Sequence, residues 1–184
     1  QAGIEQTPEN GFGATPLTKY RRHVLMLHPH TVIVYDELEA SEAVRWEWLL
    51  HSPTEFKMDA TKKTLSTNNK IKGWMAVTQL FGGHVFTLSQ TDRFVVPPAI
   101  TGAEYPNQWH LTARVDGCSA TRFLAIIQVG DEAVPIINRD GDTFNVGDWT
   151  IKAVLDASKA PELAVSHRTE QAVFSYGTDN PALN

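Results

Sequence analysis

The sequence predicts an all-β protein, an antiparallel β-sandwich of many short strands with no long helix. Three observations lead to this prediction. Apolar residues recur mainly with a period of two, and the candidate strands are rich in β-branched and aromatic residues. Glycine, mostly with Asp or Asn, separates these segments at regular intervals.

The first three strands are predicted from two short runs and one alternating run. Residues 20–27 are an apolar run that follows a basic pair, and residues 31–37 are β-branched and aromatic. Residues 44–51 alternate between two faces. The polar segment ELEASE between the second and third runs has the length of a hairpin connection, so we expect these two runs to pair.

Eight further strands are predicted from the same signals. Their separators, which include FGGH, VDGCS, NRDGD and NVGD, are typical of turns. Residues 91–108 contain three prolines and are predicted to form a long surface crossing. The eight strands are expected at residues 54–58, 75–81, 84–90, 109–115, 121–128, 149–155, 163–168 and 172–176.

Chain length and charge limit the classes of function. We predict a single domain over residues 1–184, a length that buries a sizeable core, with the polar residues 1–17 as a loose N-terminal segment. The formal net charge of −5 argues against general nucleic-acid binding, which needs a basic surface. No stretch approaches the roughly 20 apolar residues of a membrane span. The start has no basic region and no apolar run, so it is not a secretory signal.

Three histidines are the candidates for catalysis. His28 and His30 flank a proline, and in an extended backbone residues two apart point to the same side. In the predicted hairpin His51 would come close to them. The alternative is that the three side chains only cap a turn and a strand end, since proline fixes φ. We predict no metal site, because Asp36 lies at the far end of the next strand.

Aromatic and basic residues are the candidates for carbohydrate binding. Trp46 and Trp48 share an apolar face and are predicted to be core residues, whereas Trp109 ends the proline-rich crossing. Cys118 is the only cysteine, so an internal disulfide is excluded. The carbohydrate-binding candidates are Tyr105, Trp109, His110, Arg21 and Arg22.

Two segments carry a resemblance to a known family. Residues 19–53, KYRRHVLMLHPHTVIVYDELEASEAVRWEWLLHSP, resemble the C-terminal β-domain of the heparinase II/III-like polysaccharide lyases. The shared run is a basic strand, a short turn, an apolar strand that ends in Asp, and a tryptophan strand that ends in His. Residues 107–130 are similar to the hairpin that follows. Such lyases combine an α-helical toroid with a β-region, and they cleave acidic glycans by β-elimination with tyrosine and histidine.

The resemblance implies that this chain is the C-terminal part of a larger lyase. The toroid has no counterpart here, and the family's His-x-His motif precedes the basic strand, whereas His28-Pro29-His30 follows it. We therefore expect an accessory module that is structural, lines the glycan cleft with one edge, and is not catalytic by itself. The alternative is an independent carbohydrate-binding module without catalysis.

The same resemblance implies the surroundings of the module. The expected partners are an acidic polysaccharide such as a glycosaminoglycan and the catalytic α-helical domain of the parent chain, with no nucleic acid. The expected location is periplasmic or secreted. No cofactor is expected in this chain, although the parent is compatible with a divalent metal such as zinc.

Overall fold

The computed structural model describes residues 15–59, 64–68, 75–93, 108–130 and 137–177. This part of the chain contains strands and no helix, which confirms the predicted all-β class and leaves no helix able to cross a membrane among the described residues. The strands are β1 (Leu17–Leu27), β2 (Thr31–Ser52), β3 (Lys57–Asp59), β4 (Thr64–Asn68), β5 (Met75–Gly82), β6 (Thr87–Thr91), β7 (Trp109–Gly130), β8 (Ile137–Asp140), β9 (Thr143–Val146), β10 (Trp149–Ala153), β11 (Leu163–His167) and β12 (Glu170–Tyr176).

The strands form two antiparallel sheets. Sheet A has the order β1-β2-β7-β5-β4-β3, and β6 also pairs with β7. Sheet B has the order β12-β11-β10-β9-β8. As predicted, β1 and β2 form a hairpin whose turn is His28-Pro29-His30, with a cis bond before the proline. Residues 141 and 142 likewise form the turn of the β8–β9 hairpin, where Gly141 has a φ of 56°.

Two strands of 22 residues dominate sheet A, and they correct one prediction. The runs 31–37 and 44–51 are not the arms of a hairpin but the two halves of β2. In the same way VDGCS lies inside β7. The register of this strand pair shifts between Glu39 and Val44, and Gly117 on β7 has a φ of 71°. The polar segments therefore mark a bulge, where both strands bend together.

The inner core lies between sheet B and the first half of sheet A. It is built from side chains that alternate along the strands, as the period of two requires. The buried Tyr35 hydroxyl crosses this core and donates to the Val154 carbonyl at 2.8 Å. The other large side chains of the inner core are those of Ile33, Leu124, Ile126, Phe144, Ile151, Leu163 and Val165.

The outer core lies between the two halves of sheet A. Because β2 and β7 bend, their residues 44–52 and 109–118, which form the second half of sheet A, fold back over residues 31–39 and 120–128, which belong to the first half. They cover the face of the first half that points away from sheet B. Trp46 and Trp48 from the second half thus pack with Phe123 and Leu80 from the first. The prediction that both tryptophans are core residues is confirmed. The chain therefore has three layers and two cores.

A buried arginine attaches the loop after β10 to sheet A. Arg122 on β7 is 4% exposed and donates to the carbonyls of Val154 at 3.2 Å, Asp156 at 2.8 Å and Lys159 at 2.6 Å. Gly83 lies directly against Leu155 in the same loop. This loop therefore closes one end of the sandwich through backbone contacts to both residues.

Candidate functional site

The candidate functional site is the solvent face of the folded-back half of sheet A. We call it the histidine face, since two histidines lie side by side on it. The β2–β7 register places His51 opposite His110, and the β6–β7 register places Thr91 on the other side of His110. The imidazole ring centroids are 4.4 Å apart, with the ring planes tilted by 31°. His51 is exposed and His110 is half-buried.

The next rows of this face carry hydroxyl groups and one apolar side chain. Leu49 is 54% exposed and lies opposite Thr112, which pairs with Ser89 on β6. Such rows follow from alternation, because residues 109–116 place every second side chain in the outer core and every other one on this face. The full set is Arg45, Glu47, Leu49, His51, Thr87, Ser89, Thr91, His110, Thr112, Arg114 and Asp116.

Charges of both signs lie at the bend-side end of the histidine face. Arg114 Nε lies 2.9 and 2.8 Å from the two Asp116 oxygens, and Arg45 Nε reaches the same carboxylate at 3.2 Å. Hydrogen bonds from Arg114 hold the pKa of Asp116 below its ordinary value. With Glu47 opposite Arg114, the two arginines are balanced by two carboxylates. The face is therefore polar without being basic.

The other end of the histidine face has a well-fixed backbone. The Gln90 side chain on β6 accepts from the Phe56 amide and donates to the Phe56 carbonyl, both at 3.0 Å. The buried Ser52 Oγ accepts from the Thr54 amide at 3.1 Å. Because β7 is flanked by β2 and β6 at this level, the two histidines stand on a rigid three-stranded support.

The histidines predicted for catalysis do not converge. His28 and His30 are exposed in the turn before β2, whereas His51 lies at the far end of the same strand. The expected approach was wrong because β2 continues through ELEASE instead of turning back. The His28 carbonyl accepts from Trp149 Nε1 at 3.4 Å, and the His30 carbonyl accepts from the Val129 amide at 2.9 Å. This turn thus serves to close the sandwich.

The carbohydrate-binding candidates are also separated. Of the four candidates within the described residues, only His110 lies on the histidine face. Trp109 points inward and packs against the outer core. Arg22 forms a two-pronged ion pair with the buried Asp36, at 2.6 and 2.8 Å. Arg21 donates to the Tyr176 hydroxyl at the open edge of the sandwich, and Tyr105 lies outside the described residues.

A second polar cluster closes that open edge, between β1, β2 and β12. Glu37 is 1% exposed and its carboxylate lies 2.8 Å from Lys19 Nζ. Burial alone would raise the pKa of Glu37, but hydrogen bonds from Lys19 and Tyr176 hold it below its ordinary value. The centroid of the His23 ring lies 4.3 Å from that of the Tyr176 ring. Burial lowers the pKa of His23. The Glu37 carboxylate is thus held mainly by its ion pair with Lys19, and the buried His23 Nε2 has no hydrogen-bond partner among the described residues, so these contacts are those of a structural cluster.

This cluster predicts a defined acid sensitivity. A carboxyl group whose pKa is lowered by folding stabilises the fold at pH values above its ordinary pKa of 4.5. This stabilisation is lost as the pH falls through the folded-state pKa. We expect Glu37→Gln to lower the free energy of unfolding by about 2 kcal/mol at neutral pH. Urea unfolding across pH should show the gap to wild type narrowing in acid.

The matched control is Glu39→Gln, since Glu39 binds the same lysine at 3.1 Å but is 48% exposed. It should change stability by less than about 1 kcal/mol. A pH-independent gap for the Glu37 variant would contradict the assignment.

A cleft of about 650 Å³ opens where β2 and β7 bend. Its walls are mostly Ser, Ala and Gly, with Glu42, His84 and Asp156 as the titratable side chains apart from the half-buried Cys118. No Lys or Arg is among the lining residues. This cleft is therefore poorly suited to an acidic glycan.

Comparison with known proteins gives a clear result for the fold alone. No family model and no curated protein matches this sequence. Among solved structures, a heparinase III with methylated lysines is similar with a TM-score of 0.60 and 15% identity, over 90% of this chain. The heparan sulfate lyase HepC from Pedobacter heparinus is similar with a TM-score of 0.54 and 17% identity, over 86% of this chain.

The chain spans only about a quarter of these proteins, since the matches cover 24% of each. The likeness confirms, at the level of the fold, the resemblance carried by residues 19–53 and 107–130.

Proposed function

We propose that this chain is an accessory β-sandwich module of a polysaccharide lyase that cleaves acidic glycans by β-elimination. The observation that carries the proposal is the likeness over 86–90% of this chain to one quarter of two such lyases. A heparan-sulfate-type glycosaminoglycan is the proposed substrate of the whole enzyme. In this proposal the catalytic groups lie in the part of the lyase that this chain does not match. We expect that part to contain the α-helical domain.

A bare apolar strip on β1 supports a module that packs against another part of a larger protein. Tyr20, Val24 and Met26 point away from sheet B and are 57%, 62% and 67% exposed, and the same row includes Arg22, whose guanidinium carbon lies 5.7 Å from the Tyr20 ring centroid. Exposed apolar side chains in one row are typical of a contact surface. We propose that this strip faces the catalytic domain, and that the module acts in the periplasm or outside the cell.

We further propose that the histidine face lines the glycan cleft. Hydroxyl groups, guanidinium groups and imidazoles on a flat, rigid face can hydrogen-bond to the hydroxyl and acidic groups of a sugar chain. An independent carbohydrate-binding module is less well supported, because Trp109, the tryptophan predicted to contact sugars, packs against the outer core.

The first test is an ultraviolet assay for unsaturated uronate, with the purified chain and a panel of acidic polysaccharides. We expect no rise in absorbance from folded protein. A rise with any substrate would place a complete active site in this chain and overturn the accessory role.

Glycan contact is tested by retention on immobilised heparan sulfate. We expect weak retention, and we expect Arg114→Gln to weaken binding about threefold, as an exposed charge contact contributes less than about 1 kcal/mol. Arg168→Gln is the matched control, since Arg168 is an exposed arginine in an ion pair with Asp148 near sheet B. Equal retention of the two variants would contradict contact at the histidine face.

A further inference from the structure

The side-by-side histidines have a geometry that suits a shared metal ion. Two nitrogens bound to one tetrahedral ion are about 3.3 Å apart when each bond is about 2.0–2.1 Å. The imidazole centroids of His51 and His110 are 4.4 Å apart. Because the residues are direct cross-strand partners, both imidazoles stand over one point of the face, close enough for a single ion to bind to both.

The support of this pair is already fixed before any ligand arrives. His110 lies on β7 between two hydrogen-bonded neighbours, and the segment after His51 is held by the two Gln90 hydrogen bonds to Phe56. Little backbone freedom is lost on binding, and sites on strands keep their geometry better than sites on loops. Thr91 adds a hydroxyl group on the far side of His110.

The donor set decides which ions fit. Two neutral imidazole nitrogens favour zinc, copper or nickel over magnesium or calcium, which prefer oxygen ligands. Among the described residues no group of three His, Cys, Asp or Glu side chains converges. The protein therefore fills two coordination positions, and water or an oxygen of a ligand fills the others.

We propose that His51 and His110 form an exchangeable site for a divalent transition-metal ion on the histidine face. The site goes beyond the proposed function and does not rest on it, because both ligands belong to this chain. It differs from the expectation that the chain holds no metal. The charges of the arginines and carboxylates on this face cancel, so a bound metal ion gives the histidine face a net positive charge.

Calorimetric titration of the purified chain with zinc chloride at neutral pH tests the proposal. We expect one saturable binding event, weakened at least about tenfold by His51→Gln or by His110→Gln, since each removes one of two ligands. The matched control is the double variant His28→Gln/His30→Gln, which removes the two exposed histidines of the β1–β2 turn and should bind as wild type does. Circular dichroism melting should be unchanged in all three, because the side chains lie at the surface.

Three results would overturn the site. They are the absence of saturable zinc binding by the wild-type chain, full binding by a His51→Gln/His110→Gln double variant, and loss of binding in the control. Copper(II) gives an independent reading, since its paramagnetism should broaden the amide resonances of residues 50–52 and 109–111. Broadening centred on residues 28–30 instead would also reject the proposal.

Discussion

Replacing Arg122 by methionine is expected to lower the free energy of unfolding by about 3–5 kcal/mol. Its guanidinium group is buried and donates to three carbonyls of the loop after β10. Methionine fills much of the space but donates nothing, so the Asp156 and Lys159 carbonyls lose this donor, while Val154 keeps the Tyr35 hydroxyl. Urea unfolding at neutral pH measures the loss.

The control for this variant is Arg168→Met. The Arg168 side chain is 74% exposed and pairs with Asp148 on the adjoining hairpin turn, so its loss should cost less than about 1 kcal/mol. A similar effect of both substitutions would show that the loop does not depend on the buried arginine.

Gly83→Ala should destabilise the same end of the sandwich by about 3 kcal/mol. A Cβ at residue 83 would collide with the Leu155 carbonyl oxygen and come within 3.0 Å of the carbonyl carbon. The glycine amide also donates to the Arg122 carbonyl at 3.0 Å, so the backbone cannot retreat without losing that bond. Thermal and urea unfolding should both report the loss.

Gly141→Ala separates collision from backbone strain. Gly141 has a φ of 56° and nothing within 4 Å of an added Cβ, so alanine there should cost only about 1 kcal/mol, through the left-handed conformation. Equal losses at the two glycines would mean that the loop beside Gly83 can move aside.

The sequence predicted the all-β class and the first hairpin because those features depend on local patterns. Alternation, β-branched runs and a proline turn are all visible within ten residues. The continuity of β2 and β7 was missed since a bulge in a strand and a turn between strands both use polar residues and glycine. Strand β4 was missed because TLSTN carries a single large apolar side chain.

The candidate site was predicted only in part, for a related reason. His110 was found among the carbohydrate-binding candidates, but its partner His51 was assigned to the wrong neighbours. The two residues are far apart in the chain, and the register between distant strands is set by packing in the outer core rather than by any local signal. The alternation in residues 109–116 did contain the signal for the polar face.

The shared strands also affect how the chain is made and folded. Both cores are walled by β2 and β7, so neither can form until residues 109–130 have been synthesised. Until then Trp46 and Trp48 remain without their packing partners on β7 in the nascent chain. Pairing between such distant segments is slow, and exposed apolar surface during that interval favours aggregation. We therefore expect the yield of folded protein to depend on keeping the β2 segment from aggregating until β7 is made.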